Sequence, residues 1–316
     1  MLNKIVYSVV VPAYNEEEVI TESYKRLTKV MLSMDETYEL IFVNDGSRDR
    51  TANIIAEIIQ ADPSVKLINF TRNFGHMPAI TAGMEYAKGD AVIIIDADLQ
   101  DPPEVLPNMA ALWKEGYDVV YGKRKERVGE TAFKKFSAKI FYRFINNMVP
   151  IDLPVDTGEF RLMDRKVCDA VNRLAERHRY IRGLVSWVGF KQTAYEYVRV
   201  ERFAGTTKYP LRKMMSFAMD AITAFSYKPL KLATSLGFTI SVCSFIYMLI
   251  ILWQALFTDT TVTGWASTVG LILFTQGIVL MILGLMGEYI GRIFEEVKRR
   301  PVYIVQEVLG YDEEAL

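Results

Sequence analysis

The sequence predicts an α/β architecture: a mostly parallel sheet with helices on both faces, then an interfacial amphipathic helix and a two-helix transmembrane hairpin. Three observations carry this reading. Short apolar runs alternate with helical patterns over about the first 120 residues, the signature of a parallel sheet. Polar residues cluster directly after those runs. Two long, nearly uncharged stretches occupy the last third of the 316-residue chain, and they account for a hydrophobic content of 51%.

Strand candidates are residues 6–11, 39–43, 65–70, 91–95 and 119–121, with helical patterns over 17–32, 49–60, 78–87 and 104–113. The first four strands run into Asn15-Glu16, Asn44-Asp45-Gly46-Ser47, Arg72-Asn73 and Asp96-Ala97-Asp98. Open α/β sheets bind ligands beyond the carboxyl ends of their strands, so these clusters are expected to line one crevice. Taken singly, each is an ordinary polar turn.

Asp96-Ala97-Asp98 follows the wholly apolar Ala91-Val92-Ile93-Ile94-Ile95. Two carboxylates at the end of a buried strand repel unless positive charge sits between them. A divalent cation such as Mg²⁺ or Mn²⁺ fills that role, because such ions take one or two carboxylates and complete their shell with waters and substrate phosphates. An isolated Asp-x-Asp arises by chance in many chains; its place after the fourth strand gives it weight.

Residues 230–257 carry no charge after Lys231, and residues 264–287 carry none. Each run is long enough to cross a hydrocarbon core of ~30 Å, whereas two buried core helices would rarely stay uncharged so long. Lys228 and Lys231 precede the first run, and Arg292, Lys298, Arg299 and Arg300 follow the second; the link 258–263 has no basic residue. The positive-inside rule then places both flanks and the N-terminal domain on the cytoplasmic side of a membrane, expected to be the inner (plasma) membrane. Trp253 and Trp265 stand near the far ends of the spans, as an aromatic belt requires. Between residues 210 and 227, Leu211, Met214, Met215, Ala218, Met219, Ile222 and Phe225 recur at helical spacing beside Arg212 and Lys213. That pattern suits a helix in the interface, or one packed on the soluble core. Residues 301–308 alternate as a strand, to pair with their own sheet or with another subunit's. The expected organisation is a catalytic domain over 1–208, a juxtamembrane helix over 209–228, spans over 229–257 and 264–290, and a cytoplasmic tail over 291–316.

A net charge of −1 provides no global basic field for nucleic acid. Residues 123–143 hold eight basic side chains against two acidic ones, a block that suits an anionic substrate, lipid headgroups or a solvated helix face. Cys168 and Cys243 do not read as a disulfide framework, since Cys243 lies inside an apolar run. His76 follows Asn73-Phe74-Gly75 and borders the expected crevice; with no second histidine nearby, zinc is not expected.

Val9-Val10-Val11-Pro12-Ala13-Tyr14-Asn15-Glu16-Glu17, then Val43-Asn44-Asp45-Gly46-Ser47, then Asp96-Ala97-Asp98-Leu99-Gln100-Asp101-Pro102-Pro103 together resemble the inverting family 2 glycosyltransferases. Val155-Asp156-Thr157-Gly158-Glu159-Phe160-Arg161-Leu162 and Glu201-Arg202-Phe203-Ala204-Gly205-Thr206-Thr207-Lys208-Tyr209 are similar to the polyprenyl-phosphate branch. That branch holds dolichol-phosphate mannose synthases and the GtrB-like bactoprenol-phosphate glucosyltransferases. The resemblance implies the GT-A, Rossmann-like fold. It also implies transfer of a sugar, glucose from UDP-glucose first among several donors, to undecaprenyl phosphate.

Carried over residue by residue, the resemblance implies that Pro12, Ala13, Tyr14, Glu16, Asp45, Asp96, Ala97 and Asp98 bind the nucleotide. Asp96 and Asp98 would hold the metal and act in catalysis. Arg124, Arg127, Arg202 and Lys208 would bind phosphates. Relatives commonly carry Asp where Glu159 stands, and the added methylene moves that carboxylate by ~1 Å; Asp156 is the alternative catalytic carboxylate. An ionised lipid phosphate attacks with little help from a general base, so positioning two mutually repelling anions is the main task. Implied partners are the two substrates, the bilayer, further copies of the chain (a tetramer among the options), a flippase and a later transferase. Processive relatives carry a Gln-x-x-Arg-Trp motif that this sequence lacks. A non-catalytic membrane scaffold fits an intact Asp-x-Asp poorly, and two uncharged helices offer no midplane site for a transporter.

Overall fold

The computed structural model describes residues 4–125, 157–199, 226, 228–257 and 264–311, which fall into two compact units. The first holds an eight-stranded sheet of β1 (Tyr7–Ala13), β2 (Tyr38–Asn44), β3 (Val65–Phe70), β4 (Ala91–Ile94), β5 (Val119–Arg124), β6 (Thr157–Asp164), β7 (Gln192–Tyr197) and β8 (Val305–Leu309). Their spatial order is β7-β5-β6-β4-β1-β2-β3-β8. The central four strands are parallel, as is β7 beside β5, while β6 opposes β4 and β5, and β8 opposes β3. The crossovers α1 (Ile20–Ser33), α2 (Thr51–Ala61) and α3 (His76–Tyr86) link β1 to β4, and α4 (Leu106–Lys114), α5 (Arg165–Asn172) and α6 (Ile181–Trp187) follow.

All seven residues of β1 are buried, because helices cover both faces of the sheet. Tyr7, Val9 and Val11 join one apolar cluster with Leu27 and Met31 of α1, Ile55 of α2 and Met109 of α4. Val10 points the other way, and α3 lies so close to it that a Cβ on Gly83 would stand 2.1 Å from Val10 Cγ1. Only glycine permits that approach. The buried carboxylate of Glu39 is fully engaged, by Lys66, by the Ser8 hydroxyl at 2.5 Å and by the Lys88 amide at 2.7 Å, as a charge out of water requires.

The five expected strands and four expected helices are all present. β6 and β7 are additions, and β8 extends the sheet of its own chain, in the register Leu67↔Leu309 and Ile68↔Val308. Just before it, Tyr303 stacks on Phe70 with ring centroids 5.0 Å apart.

The second unit contains α7 (Lys228–Phe257) and α8 (Trp265–Lys298), of 30 and 34 residues. At 1.5 Å per residue they extend about 45 and 51 Å. Each includes a window long and apolar enough to cross a membrane, with mean hydropathy 1.4 and 1.6 and, among the described residues, none buried. Phe238, Phe274 and Met281 are each about 70% exposed (72%, 67% and 71%), which a helix in water would avoid. The hydroxyls of Thr234, Thr239 and Thr275 donate to carbonyls four residues back, satisfying themselves within the helix as a lipid environment demands. The amphipathic segment over 210–227 lies outside the described residues.

Candidate active site

A cavity of about 350 Å³ opens beyond the carboxyl ends of the central strands. The end of β1 contributes Pro12, Ala13, Tyr14 and Glu16, and the end of β2 contributes Asp45. The turn into α3 adds Asn73, Gly75 and His76, and the end of β4 adds Asp96, Ala97 and Asp98. All eight residues expected around a nucleotide therefore line one space.

Its rim is laced by side chains that receive backbone amides from the neighbouring loop. Asn15, in the left-handed region at φ 54°, donates its amide to Ser47 Oγ at 2.9 Å, and its Oδ1 accepts the Arg48 amide at 2.8 Å. The Glu16 amide donates to Thr51 Oγ1 at 2.9 Å. Gly46 has φ +64°, and a Cβ there would lie 2.3 Å from the Arg72 carbonyl carbon, so this turn needs glycine. The Asp45 carboxylate accepts the Phe74 and Gly75 amides at 2.6 and 2.9 Å. Burial pushes its pKa up, and those amides with His76 and Arg72 offset only part of the rise. Asp45 thus ties the α3 turn to the cavity wall.

The floor is acidic. Asp98 is 7% exposed, and its Oδ1 accepts the Gln100 amide at 3.1 Å. Leu99 between them is buried with φ 59°, a conformation a bulky side chain adopts only when its surroundings enforce it. Asp96 Oδ1 is buried and accepts no hydrogen bond, with His76 Nε2 3.4 Å away. Burial pushes the Asp96 carboxyl up to about 6; His76 opposes the rise, while Asp98, Asp101 and Glu159 add to it. An unsatisfied buried acceptor beside a second carboxylate fits a divalent cation that completes its shell with water and phosphate oxygens. Among the described residues no three His, Cys, Asp or Glu side chains form a metal-binding group.

Two charge clusters lie nearby. The buried Asp101 accepts the Tyr197 hydroxyl and has Arg199 Nε at 3.6 Å and an Arg124 nitrogen at 3.9 Å. Arg124 ends β5 and also reaches β6, where a Cβ on Gly158 would meet its Nη2 at 2.8 Å. Glu159 is clamped by Arg161 at 3.2 Å and by Arg182 through two nitrogens at 3.1 Å. Burial alone would raise its pKa, but the two guanidiniums outweigh it and hold the carboxyl below its usual range. Asp156, Arg127, Arg202 and Lys208 lie outside the described residues. Sequence reasoning gave no role to Asp101 or Arg161, although both sit inside the motifs it singled out. Arg182, Tyr197 and Arg199 lie where no motif pointed.

Residues 8–171 match the family model for glycosyl transferase family 2, and residues 228–293 match that for the GtrB C-terminal hairpin. An uncharacterized glycosyltransferase of Bacillus subtilis, YkcC, is 59% identical over 100% of this chain and 98% of its own. An SfII prophage-derived bactoprenol glucosyl transferase of Shigella flexneri is 41% identical over 95% of this chain and 97% of its own. A prophage bactoprenol glucosyl transferase homolog of Escherichia coli is 40% identical over 95% and 98%. An acid-floored cavity at the switch point of a mostly parallel sheet, with family matches over both units, leads to one conclusion: the chain belongs to glycosyl transferase family 2 and is a glycosyltransferase.

Proposed function

We propose that the chain transfers a sugar, with glucose from UDP-glucose as the first choice, to a polyprenyl phosphate such as undecaprenyl phosphate on the cytoplasmic face of the inner membrane. The observation that carries this reading is the Asp96–Asp98 floor of the cavity, in a chain whose relatives at 40–41% identity are named bactoprenol glucosyl transferases. GDP-mannose and other UDP-sugars are the competing donors.

In this reading the nucleotide lies against Pro12, Ala13, Tyr14, Glu16 and Asp45. Asp96 and Asp98 would hold Mg²⁺ or Mn²⁺, which when bound would offset charge growing on the departing diphosphate. The attacking atom is an oxygen of the lipid phosphate, ionised near neutral pH. Its bond to the anomeric carbon forms as the bond to the diphosphate breaks, on the opposite face, so the centre inverts and no proton need move. Arg124, with Arg127, Arg202 and Lys208, neutralises the two anions that must approach each other. Glu159, kept ionised by Arg161 and Arg182, suits a positioning role better than proton transfer, and Asp156 is the alternative carboxylate. In this reading a catalytic domain over 1–208 and the tail over 291–316 are cytoplasmic, with the segment 209–228 at the interface, and the basic residues flanking the two apolar runs support that orientation. Self-association, a flippase and a transferase that consumes the lipid-linked product complete the picture.

The test is transfer of radiolabelled sugar from a panel of UDP- and GDP-sugars to undecaprenyl phosphate in detergent, with and without Mg²⁺. Metal-dependent label in the lipid fraction from one donor is expected. No label from any donor, by a chain that still binds UDP or GDP, would overturn the acceptor assignment.

A further inference from the structure

A line of directed hydrogen bonds runs from β8, the strand that follows the second apolar helix, to the rim of the cavity. Glu307 pairs directly across from Asn69 on β3, and its Oε1 accepts Asn69 Nδ2 at 2.9 Å. Asn69 Oδ1 accepts Asn44 Nδ2 at 2.6 Å. Asn44 Oδ1 accepts both the Ser47 amide, at 3.3 Å, and the Ser47 hydroxyl, at 2.5 Å. Ser47 Oγ in turn accepts the amide of Asn15, the left-handed residue between Tyr14 and Glu16.

The order of donors and acceptors in this line is fixed at both ends, by the Glu307 carboxylate and by the backbone amides of Ser47 and Asn15. A side-chain amide offers a donor at one end and an acceptor at the other, so each amide here fits in only one orientation if its neighbours are fixed. An ionised carboxylate only accepts. Glu307 therefore holds Asn69 with its nitrogen outward and its oxygen toward Asn44, the same orientation that the Ser47 amide demands from the other end through Asn44 Oδ1. Asn44 and Asn69 are 2% and 9% exposed, so water is poorly placed to replace a partner turned the wrong way between them, whereas Glu307 stands exposed at the outer end of the line.

We infer that Glu307 is a positioning residue for the nucleotide of the donor, acting through Asn69, Asn44 and Ser47 on the loop that carries Tyr14 and Glu16. This rests on the reading of the cavity as the nucleotide site. It makes the strand beyond the hairpin part of the donor-binding apparatus, and it predicts an effect on donor affinity with little effect on the chemical step.

The test uses the full chain in detergent, measuring UDP and GDP binding, donor KM, kcat and Tm for Glu307→Ala, Asn69→Asp, the double variant Asn69→Asp with Glu307→Gln, and Gln306→Ala at the exposed neighbouring position of β8. Asn69→Asp opposes two carboxylates and is expected to weaken nucleotide binding on the order of tenfold, and Glu307→Ala about threefold. The double variant restores a donor–acceptor pair of reversed origin, and affinity should return to within about twofold of the unmodified chain. Values of kcat are expected to stay within about twofold throughout, and Gln306→Ala to bind normally. Unchanged affinity in Glu307→Ala and Asn69→Asp overturns the inference. So does a loss that the double variant fails to recover, or one that Gln306→Ala shares. If the unmodified chain binds neither nucleotide, the cavity assignment falls and this inference with it.

Discussion

Around the cavity, each loop is held by side chains of the next: Ser47 and Thr51 receive the amides of Asn15 and Glu16, and Asp45 receives those of Phe74 and Gly75. In the hairpin the threonine hydroxyls bond back to their own helix, and the apolar side chains stand exposed along its length. The rim depends on the identity of particular residues, because each supplies a donor, an acceptor or a backbone angle that few others can. The hairpin depends on length and hydropathy, which many sequences satisfy.

The sharpest test of that contrast is Asp98→Ala, which removes a buried carboxylate from the floor while sparing the fold's apolar core. Label transfer is expected to fall on the order of a thousandfold; retention within tenfold would remove Asp98 from the catalytic assignment. Gly46→Ala tests the rim itself. Its Cβ would press on the Arg72 backbone at φ +64°, and a stability loss of about 2–4 kcal/mol in denaturant unfolding of the sheet-bearing unit is expected. In the hairpin, Leu280→Arg introduces a charge at a 63% exposed position, costing ~3 kcal/mol of insertion, whereas Leu280→Ile should change insertion by less than ~0.5 kcal/mol. Equal effects of the two would show that Leu280 does not face lipid.

The smallest effect runs in the stabilising direction. The Asp96 carboxyl is pushed up to about 6 in the fold, above the ~3.9 of an unfolded chain, so ionising it opposes folding. That opposition is absent below pH ~4, grows between ~4 and about 6, and is complete above it. With 32% of the side chain exposed, solvent screening keeps the effect below its full linkage value. Asp96→Asn is therefore expected to raise the Tm of the metal-free chain by ~2–4 °C at pH 7.5 and to leave it unchanged at pH 4, while activity drops. An equal rise at both pH values would assign the change to packing instead of charge.

The central strands were legible because their apolar runs end in polar clusters, and the same clusters located the cavity. β6 was not, because Glu159 and Arg161 occupy buried positions that a strand pattern reserves for apolar side chains, and they are tolerated only as partners of each other and of Arg182. β7, Gln192–Tyr197, is largely half-buried at one edge and has no apolar run to announce it. The orientation of residues 301–308 was open between two sheets, since alternation alone names no partner; Tyr303 on Phe70 and Glu307 on Asn69 supply the specificity. Asp101 with Tyr197 pairs positions 96 apart, a coincidence of sheet order that no local window contains.

The pairing of β8 with β3 also has a consequence in time. Asn69 leaves the ribosome 238 positions before Glu307, and at ~5–20 residues per second that interval lasts roughly 10–50 s. Throughout it, the outer edge of β3 is an open template for any passing strand. Both apolar helices are synthesised within the same interval. The nascent enzyme therefore completes its sheet, and with it the hydrogen-bonded line to the rim of the cavity, only after both apolar helices have been made.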